Sequence, residues 1–341
     1  MKVVVTVQHP AHVHFFRNAI AELRARGHRV FVFGREADVA ADLLEAYGID
    51  HEFLAPAVDS LADLLTVQLQ YERRLYRRAK RIDPDVLVAI GEPAVTHVAT
   101  LLGCRSILFS DTEHSRLQKW LSFPLADRIC TPDSYGLDVG DRQVSYPGFH
   151  ELAYLHPDRF EPDPEPPGAI ADTDGPLAVV RLVAWRAAHD VGRSGIGHAE
   201  KLVDALERGG ATVVLSAEQP LPPSLADRRA TIPPERMHDL LFHADCFVGE
   251  SGTMAIESAL LGTPALFVSP FSAGVLETLE RRYGLLFRLP ESTGWRTVAD
   301  RATALLAADA ERWERRRRRV LEECVDTTAV IVDLVERSGA A

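Results

Sequence analysis

The residues best suited to chemistry lie together in ADCFVGESGTMAIESALLGTPALF, residues 244–267. An apolar run at 246–248 has the length of a buried parallel strand. It breaks at Gly249, Glu250, Ser251, Gly252 and Thr253, and residues 254–261 then follow helical spacing until Gly262 and Pro264 end the pattern. A strand, a small-residue turn and a helix start together make an anion site. The first helical turn leaves backbone N–H groups unpaired, and the helix dipole adds partial positive charge. Ser251 and Thr253 can donate hydroxyls to a diphosphate, and Gly252 lets it approach the backbone. Glu257, one turn beyond Thr253, can accept bonds from a pair of ribose hydroxyls. The same pattern also fits a plain N-cap followed by a solvated glutamate, and the local sequence leaves both readings open.

The elements that must position this stretch follow a strand–helix beat. Apolar strands are expected at residues 3–7, 29–33, 51–54, 86–90 and 106–109, with helices between them, the longest over 60–81. This alternation predicts an α/β protein with parallel, doubly wound sheets. Ligands in such folds sit at the carboxyl ends of strands, so the polar residues that follow strands become candidates: His12 and His14 after the first, Glu92 after the fourth, and Asp111 and Glu113 after the fifth. A neutral imidazole near a helix start can serve as a base or bind a sugar. The first strand lacks GxGxxG, which weakens a dinucleotide reading. Asp111 before Thr112 can equally be a helix cap.

A Pro- and Gly-rich stretch over 147–176 marks a boundary. The expected division is 1–150 as a first Rossmann-like domain, 151–176 as linker, 177–308 as a second Rossmann-like, nucleotide-sugar-binding domain, and 309–341 as a C-terminal helix. The second domain adds Arg181, Arg186, His189 and Asp190 near one strand end, and Met237 beside the expected position of a bound base. The chain has 341 residues, enough for two domains, and no apolar run of membrane-spanning length. It enters a strand directly after Lys2, an expectation of a cytoplasmic location. A net charge of −11 argues against general nucleic-acid binding. The basic run at 315–319 reads as a solvated, salt-bridged helix face, with peripheral membrane contact or a lipid-linked acceptor as the alternative. No DxD triad stands at a strand end, so no bound metal or other cofactor is expected.

HPAHVHFFRNAI, FSDTEHSRLQKWLSFPLADRICTP, YPGFHELAYLHP, RLVAWRAAHDVG and GESGTMAIESALLGTP occur in that order. Together they resemble the family known as domain of unknown function 354. That family is similar to the glycosyltransferase-B superfamily, which includes non-hydrolysing UDP-N-acetylglucosamine 2-epimerases and the transferase that completes lipid II. The resemblance implies two Rossmann-like domains facing across a cleft, and a last helix that crosses back to the first. It also implies that Ser251, Gly252, Thr253 and Glu257 match the epimerase SGGxxxE segment, with Thr253 in place of a glycine. Ala188, His189 and Asp190 only loosely match the epimerase HRxEN loop. The expected function is transfer of a sugar from a nucleotide-diphosphate donor, expected to be UDP-linked, to an unidentified glycan or lipid-linked acceptor. His12, His14, Asp111 and Glu113 are the catalytic candidates. UDP-sugar 2-epimerisation and non-catalytic nucleotide-sugar binding are the alternatives.

Overall fold

The computed structural model describes the chain except for residues 58–60, 171–174, 184–198, 219 and 340–341. It has two compact units. The first comprises Met1–Phe160, Ala273–Val275 and Glu323–Ala341; the second comprises Glu161–Ser272 and Leu276–Glu322.

The first unit runs β1 (Lys2–Val7), α1 (Pro10–Ala25), β2 (Arg29–Arg35), α2 (Asp38–Ala46), β3 (His51–Ala55), α3 (Leu61–Ile82), β4 (Val86–Ile90), α4 (Pro93–Leu102) and β5 (Arg105–Phe109). It continues through α5 (Arg116–Ser122), a 3-10 turn (Phe123–Leu125), β6 (Arg128–Pro132), β7 (Gln143–Tyr146) and α6 (Leu152–Leu155). Its seven strands lie in the order β3-β2-β1-β4-β5-β6-β7, all parallel. A parallel strand is covered on both faces, so it needs apolar residues at successive positions rather than alternate ones. Val3, Val4 and Val5 on β1 and Val86, Leu87 and Val88 on β4 meet that need, and they pair in register. Each such side chain contributes about 1.5–3 kcal/mol on burial.

The second unit runs β8 (Leu177–Leu182), α7 (Ala199–Arg208), β9 (Thr212–Ala217), α8 (Met237–His243), β10 (Cys246–Gly249), α9 (Gly252–Leu261) and β11 (Ala265–Val268). After α10 (Gly274–Thr278) come β12 (Leu286–Leu289), α11 (Trp295–Leu306) and α12 (Ala310–Glu323). Its five parallel strands lie in the order β12-β11-β10-β8-β9. One face of this sheet packs on α7 and α11 through Val180, Leu202, Val248, Leu266 and Val298.

Each sheet has one place where the winding reverses: between β1 and β4 in the first unit, and between β8 and β10 in the second. Helices leave to opposite faces there, and a crevice opens at the carboxyl ends of the two strands. The turn from β10 into α9 stands at the second of these.

The C-terminal helix expected over 309–341 is two helices. Asp326 breaks it, accepting the Thr328 amide at 2.9 Å and so capping α13 (Thr327–Gly339). Arg159 holds Asp326 at 2.6 Å and Glu22 of α1 at 2.9 Å. Thr327 and Thr328 donate to the carbonyls of Phe149 and Ala153 at 2.7 Å each. The segment around α6, expected as linker from its prolines, is therefore packed: Phe149, Leu152, Ala153, Tyr154 and Leu155 are all buried.

The arginine run on α12 also differs from a solvated face. Arg315 pairs with Glu311, but Arg316, Arg317 and Arg319 donate to the carbonyls of Gly284, Leu260 and Arg282. Leu260 lies in the last turn of α9, where carbonyls have no partner within the helix, so Arg317 supplies one at the negative end of the dipole. These arginines hold the second unit together.

Gly249, the last residue of β10, faces the Arg181 backbone so closely that a Cβ would lie 2.8 Å from Arg181 Cβ and 3.0 Å from its carbonyl oxygen. Gly249→Ala is therefore expected to cost about 1–3 kcal/mol by overpacking, read as a lower urea midpoint. An unchanged midpoint would contradict the packing described.

Candidate functional site

In the second unit, β10 delivers the chain to Glu250 and Ser251. Glu250 is buried and accepts the Val183 amide at 2.9 Å, which fastens the end of β8 beside the end of β10. Ser251 adopts extended backbone and caps α9, its Oγ accepting the Met254 amide at 3.4 Å. That half of the plain capping alternative is what the structure shows. The cap occupies only the oxygen lone pair, so the hydroxyl proton remains available for donation. The Gly252 and Thr253 amides precede the first intrahelical bond and point along the helix axis. Residues 251–254 are partly exposed, whereas 255–261 are all buried.

Gly252 has ordinary helical space around it: a Cβ there would meet only Phe267 Cζ, at 3.7 Å. The fold does not demand this glycine. Glu257 is buried, not solvated, and its Oε1 lies 3.1 Å from Nε2 of buried His238 on α8. Thr263 strengthens the same junction by donating to the Leu241 and Ala244 carbonyls. Met237, the first residue of α8, is half-buried next to His238.

Arg181 ends β8 with its guanidinium turned onto β9: Nη1 donates to Ser216 Oγ and Nη2 to Glu218, each at 2.8 Å. Its buried Nε has no hydrogen-bond partner among the described residues. His189, Asp190 and Arg186 lie outside the described residues.

In the first unit the sequence candidates separate. His9 caps α1 by accepting the Ala11 amide, and His12 Nδ1 lies 3.4 Å from the Gln8 amide, which donates to it. That bond leaves the His12 proton on Nε2. Burial, with the neighbouring His9 and His150, lowers the His12 pKa to about 3. His14, two residues on, faces another side of the helix. It is buried between Tyr47 and Tyr154, its Nδ1 3.2 Å from the Tyr47 hydroxyl, as a packed core histidine would be.

Asp111 lies beyond β5 with Oδ2 3.3 Å from Nδ1 of His150. His150 is buried against Phe15 and Phe109, and burial lowers its pKa while Asp111 opposes the shift. In the tautomer with its proton on Nδ1, on the side of Asp111, the Nε2 lone pair is the free end of the ring, and the buried Nε2 has no hydrogen-bond partner among the described residues. A carboxylate that orients an imidazole in this tautomer makes a base. Glu113 is differently engaged, its carboxylate accepting the Gly136 amide at 2.9 Å and the Gly274 amide at 3.2 Å. Glu92 is a buried floor residue that accepts from Thr6 Oγ1 at 2.5 Å; burial raises its pKa.

Sequence reasoning did not single out His150, His238 or Glu250, though His150 and Glu250 stand in stretches it quoted. Their partners, Asp111, Glu257 and Val183, are 39, 19 and 67 residues away in the chain.

Because His12 stays neutral in the fold well below its usual value of 6.5, acid drives protons onto the unfolded chain first. Its contribution to stability is complete above about pH 6.5 and is lost as the pH falls toward about 3. His12→Gln is expected to flatten the fall of the urea midpoint across that range. Equal slopes in both proteins would contradict the lowered His12 pKa.

Residues 1–153 match the family model described as protein of unknown function (DUF354). An uncharacterized protein of Methanocaldococcus jannaschii is 24% identical over 282 residues, covering 79% of this chain and 82% of that one. Among solved structures, the spinosyn forosaminyltransferase superposes with a TM-score of 0.72 at 18% identity, covering 100% of both chains. A UDP-N-acetylglucosamine 2-epimerase superposes with a TM-score of 0.72 at 14% identity, covering 100% of this chain and 97% of that one. Two parallel sheets with these neighbours make the architecture the glycosyltransferase-B fold, and its first 153 residues carry the DUF354 family pattern.

Proposed function

We propose that the protein is a glycosyltransferase that uses a nucleotide-diphosphate sugar, with UDP as the nucleotide, and works without a bound metal. The observation that carries this reading is the partly exposed first turn of α9 at the β8/β10 reversal point. The diphosphate would take the Gly252 and Thr253 amides and the Ser251 and Thr253 hydroxyls. Glu257, held by His238, would meet the ribose; Met237 would flank the base. Arg181 Nε, His189 and Asp190 complete the proposed donor contacts. Asp111 and His150 supply the base in the first unit, with His12 as a neutral hydrogen-bond donor to sugar or acceptor. Glu113 and His14 serve this chemistry less well, because amides and tyrosines already engage them.

In the reaction, His150 Nε2 takes the proton of the acceptor hydroxyl as its oxygen attacks the anomeric carbon. The bond from that carbon to the diphosphate oxygen breaks, and the leaving UDP keeps the electron pair. Fixed amides aimed at the developing charge stabilise it, a contribution of about 10²–10³ in rate for one such donor. The imidazolium that forms lies beside Asp111, which stabilises it.

The likeness of fold to a UDP-N-acetylglucosamine 2-epimerase favours one second reading, inversion at C2 of the same donor. Incubation of UDP-N-acetylglucosamine with the protein in deuterated water separates the two. Deuterium at C2 supports epimerisation, and UDP released only when an acceptor is supplied supports transfer.

Titration calorimetry tests the donor grip. Gly252→Ala is expected to leave the urea midpoint unchanged or slightly higher, since alanine suits a helix better, while weakening UDP about tenfold. Glu257→Ala is expected to weaken UDP but not pyrophosphate. Unchanged UDP affinity in both variants would contradict the assignment. His150→Gln is expected to lower kcat by about 10²–10⁴ with UDP affinity retained; full activity would remove His150 from the base role.

A further inference from the structure

A cavity of about 340 Å³ lies in the second unit against β12, an edge strand of its sheet. Its buried side is apolar. Leu266 of β11 is 1% exposed and Trp313 of α12 is 6% exposed, and half-buried Phe287, Leu289 and Leu305 complete that side. Phe287 meets the Trp313 ring edge to face, 6.2 Å between centroids. Helical spacing sets the opposite border. On α11, Val298, Ala299 and Ala302 turn into the core, so Arg301, Ala304 and Leu305 flank that face, and Ala308 follows one turn on. Ala304 and Ala308 are too small to close the space. Packed cores leave few voids larger than a water molecule, whereas ligand pockets begin at about 300 Å³.

Charge selects the occupant. The charged side chains that border the cavity are Glu280, Arg288, Arg301 and Arg312. The one carboxylate is already engaged: Glu280 accepts the Arg288 amide at 3.0 Å and Arg288 Nε at 2.7 Å, and Arg288 Nη1 donates to Ser272 Oγ at 2.7 Å. Arg301 and Arg312 are exposed, and neither guanidinium has a hydrogen-bond or ion-pair partner among the described residues. Arg312 lies 5.1 Å from the Trp313 ring centroid, and Arg316 lies 5.2 Å from the same centroid. Burial and the neighbouring Arg312 lower the Arg316 pKa, so Arg312 stands beside a like charge. The acidic residues just before Arg312 do not relieve it, because Asp309 and Glu311 face Arg315, at 3.9 and 3.1 Å. Two uncompensated guanidiniums on the exposed side and an apolar buried side call for one anion with an apolar body. At about 30 Å³ per water-sized group, the cavity has room for about ten such groups. A carboxylate head leaves most of that room to the chain.

We propose that the cavity bordered by α11, α12 and β12 binds a medium-chain carboxylate, its chain against Leu266, Phe287, Leu289, Leu305 and Trp313 and its head held by Arg301 and Arg312. All of these residues belong to the second unit. None takes part in the donor assignment, and the proposal does not rest on it.

Titration calorimetry of the full chain with octanoate tests the site. Saturable binding with Kd below about 5 mM is expected, together with a urea midpoint that rises with octanoate concentration. At equal concentration, acetate, which lacks the chain, and 1-octanol, which lacks the charge, are expected to leave the midpoint nearly unchanged. The double variant Arg301→Gln, Arg312→Gln is expected to weaken octanoate about tenfold, with its ligand-free urea midpoint and UDP affinity unchanged. Ala304→Phe, which fills the cavity from its exposed side, is expected to abolish octanoate binding with the same two readings retained. Should loss of Arg312 disturb Trp313 and lower the midpoint, Arg301→Gln alone is the variant to read, expected to weaken octanoate about threefold. Failure of octanoate to bind, a midpoint shift from 1-octanol equal to that from octanoate, or undiminished octanoate binding by either the double variant or Ala304→Phe overturns the proposal. Binding of UDP by a chain that does not bind octanoate would leave the donor reading standing and remove only this one.

Discussion

A helix cannot bond the amides of its own first turn, and much of the second unit is arranged around that deficit at α9. Ser251 meets one of the amides and leaves those of Gly252 and Thr253 facing outward. The other end of the helix is closed thoroughly, by Gly262 in the left-handed region and by Arg317 on the Leu260 carbonyl. Glu250 ties the neighbouring strand end to the same turn, and His238 and Thr263 fasten α8 along the helix side. The result is a fixed helix with one open end, at the place where the sheet reverses its winding. Such donors need no reorganisation when an anion arrives, which is the condition under which they stabilise developing charge most.

The first unit solves a different problem, that of keeping imidazoles neutral. Phe15, Phe109 and the packing of α6 bury His150, and Asp111 orients the ring without removing it from that setting. His12 is kept neutral by burial and by two neighbouring histidines. The bonds that make this packing rigid run through Arg159 and the paired threonines at the start of α13. The C-terminal helix thus acts as a brace behind the segment that carries His150.

Most of the framework was legible in the sequence because parallel strands must be apolar at successive positions. The runs at β1, β4, β5, β10 and β11 announce themselves, as does the Ser251 cap followed by a helix that Gly262 ends. β6 and β7 did not: RICTP and QVSY, the last two strands toward one edge of the sheet, mix polar and apolar residues, and a prolyl-glycyl pair follows β7. The same pair made the His150 segment look like linker, although it is core. The break at Asp326 had a signal in Asp326, Thr327 and Thr328, which is cap chemistry, but the arginine-rich periodicity before it masked the change. The partners of Glu257 and of Arg316, Arg317 and Arg319 had none, because a side chain that bonds a distant carbonyl or histidine leaves no local pattern.

The central claim, that the open amides of α9 receive a diphosphate, is tested most directly by following those amides in solution. In nitrogen-15 spectra of the full chain, UDP is expected to move the Gly252 and Thr253 amide resonances and slow their hydrogen exchange, while uridine, which lacks phosphate, leaves both nearly unchanged. Saturating UDP that perturbs other amides but not these two would contradict the account.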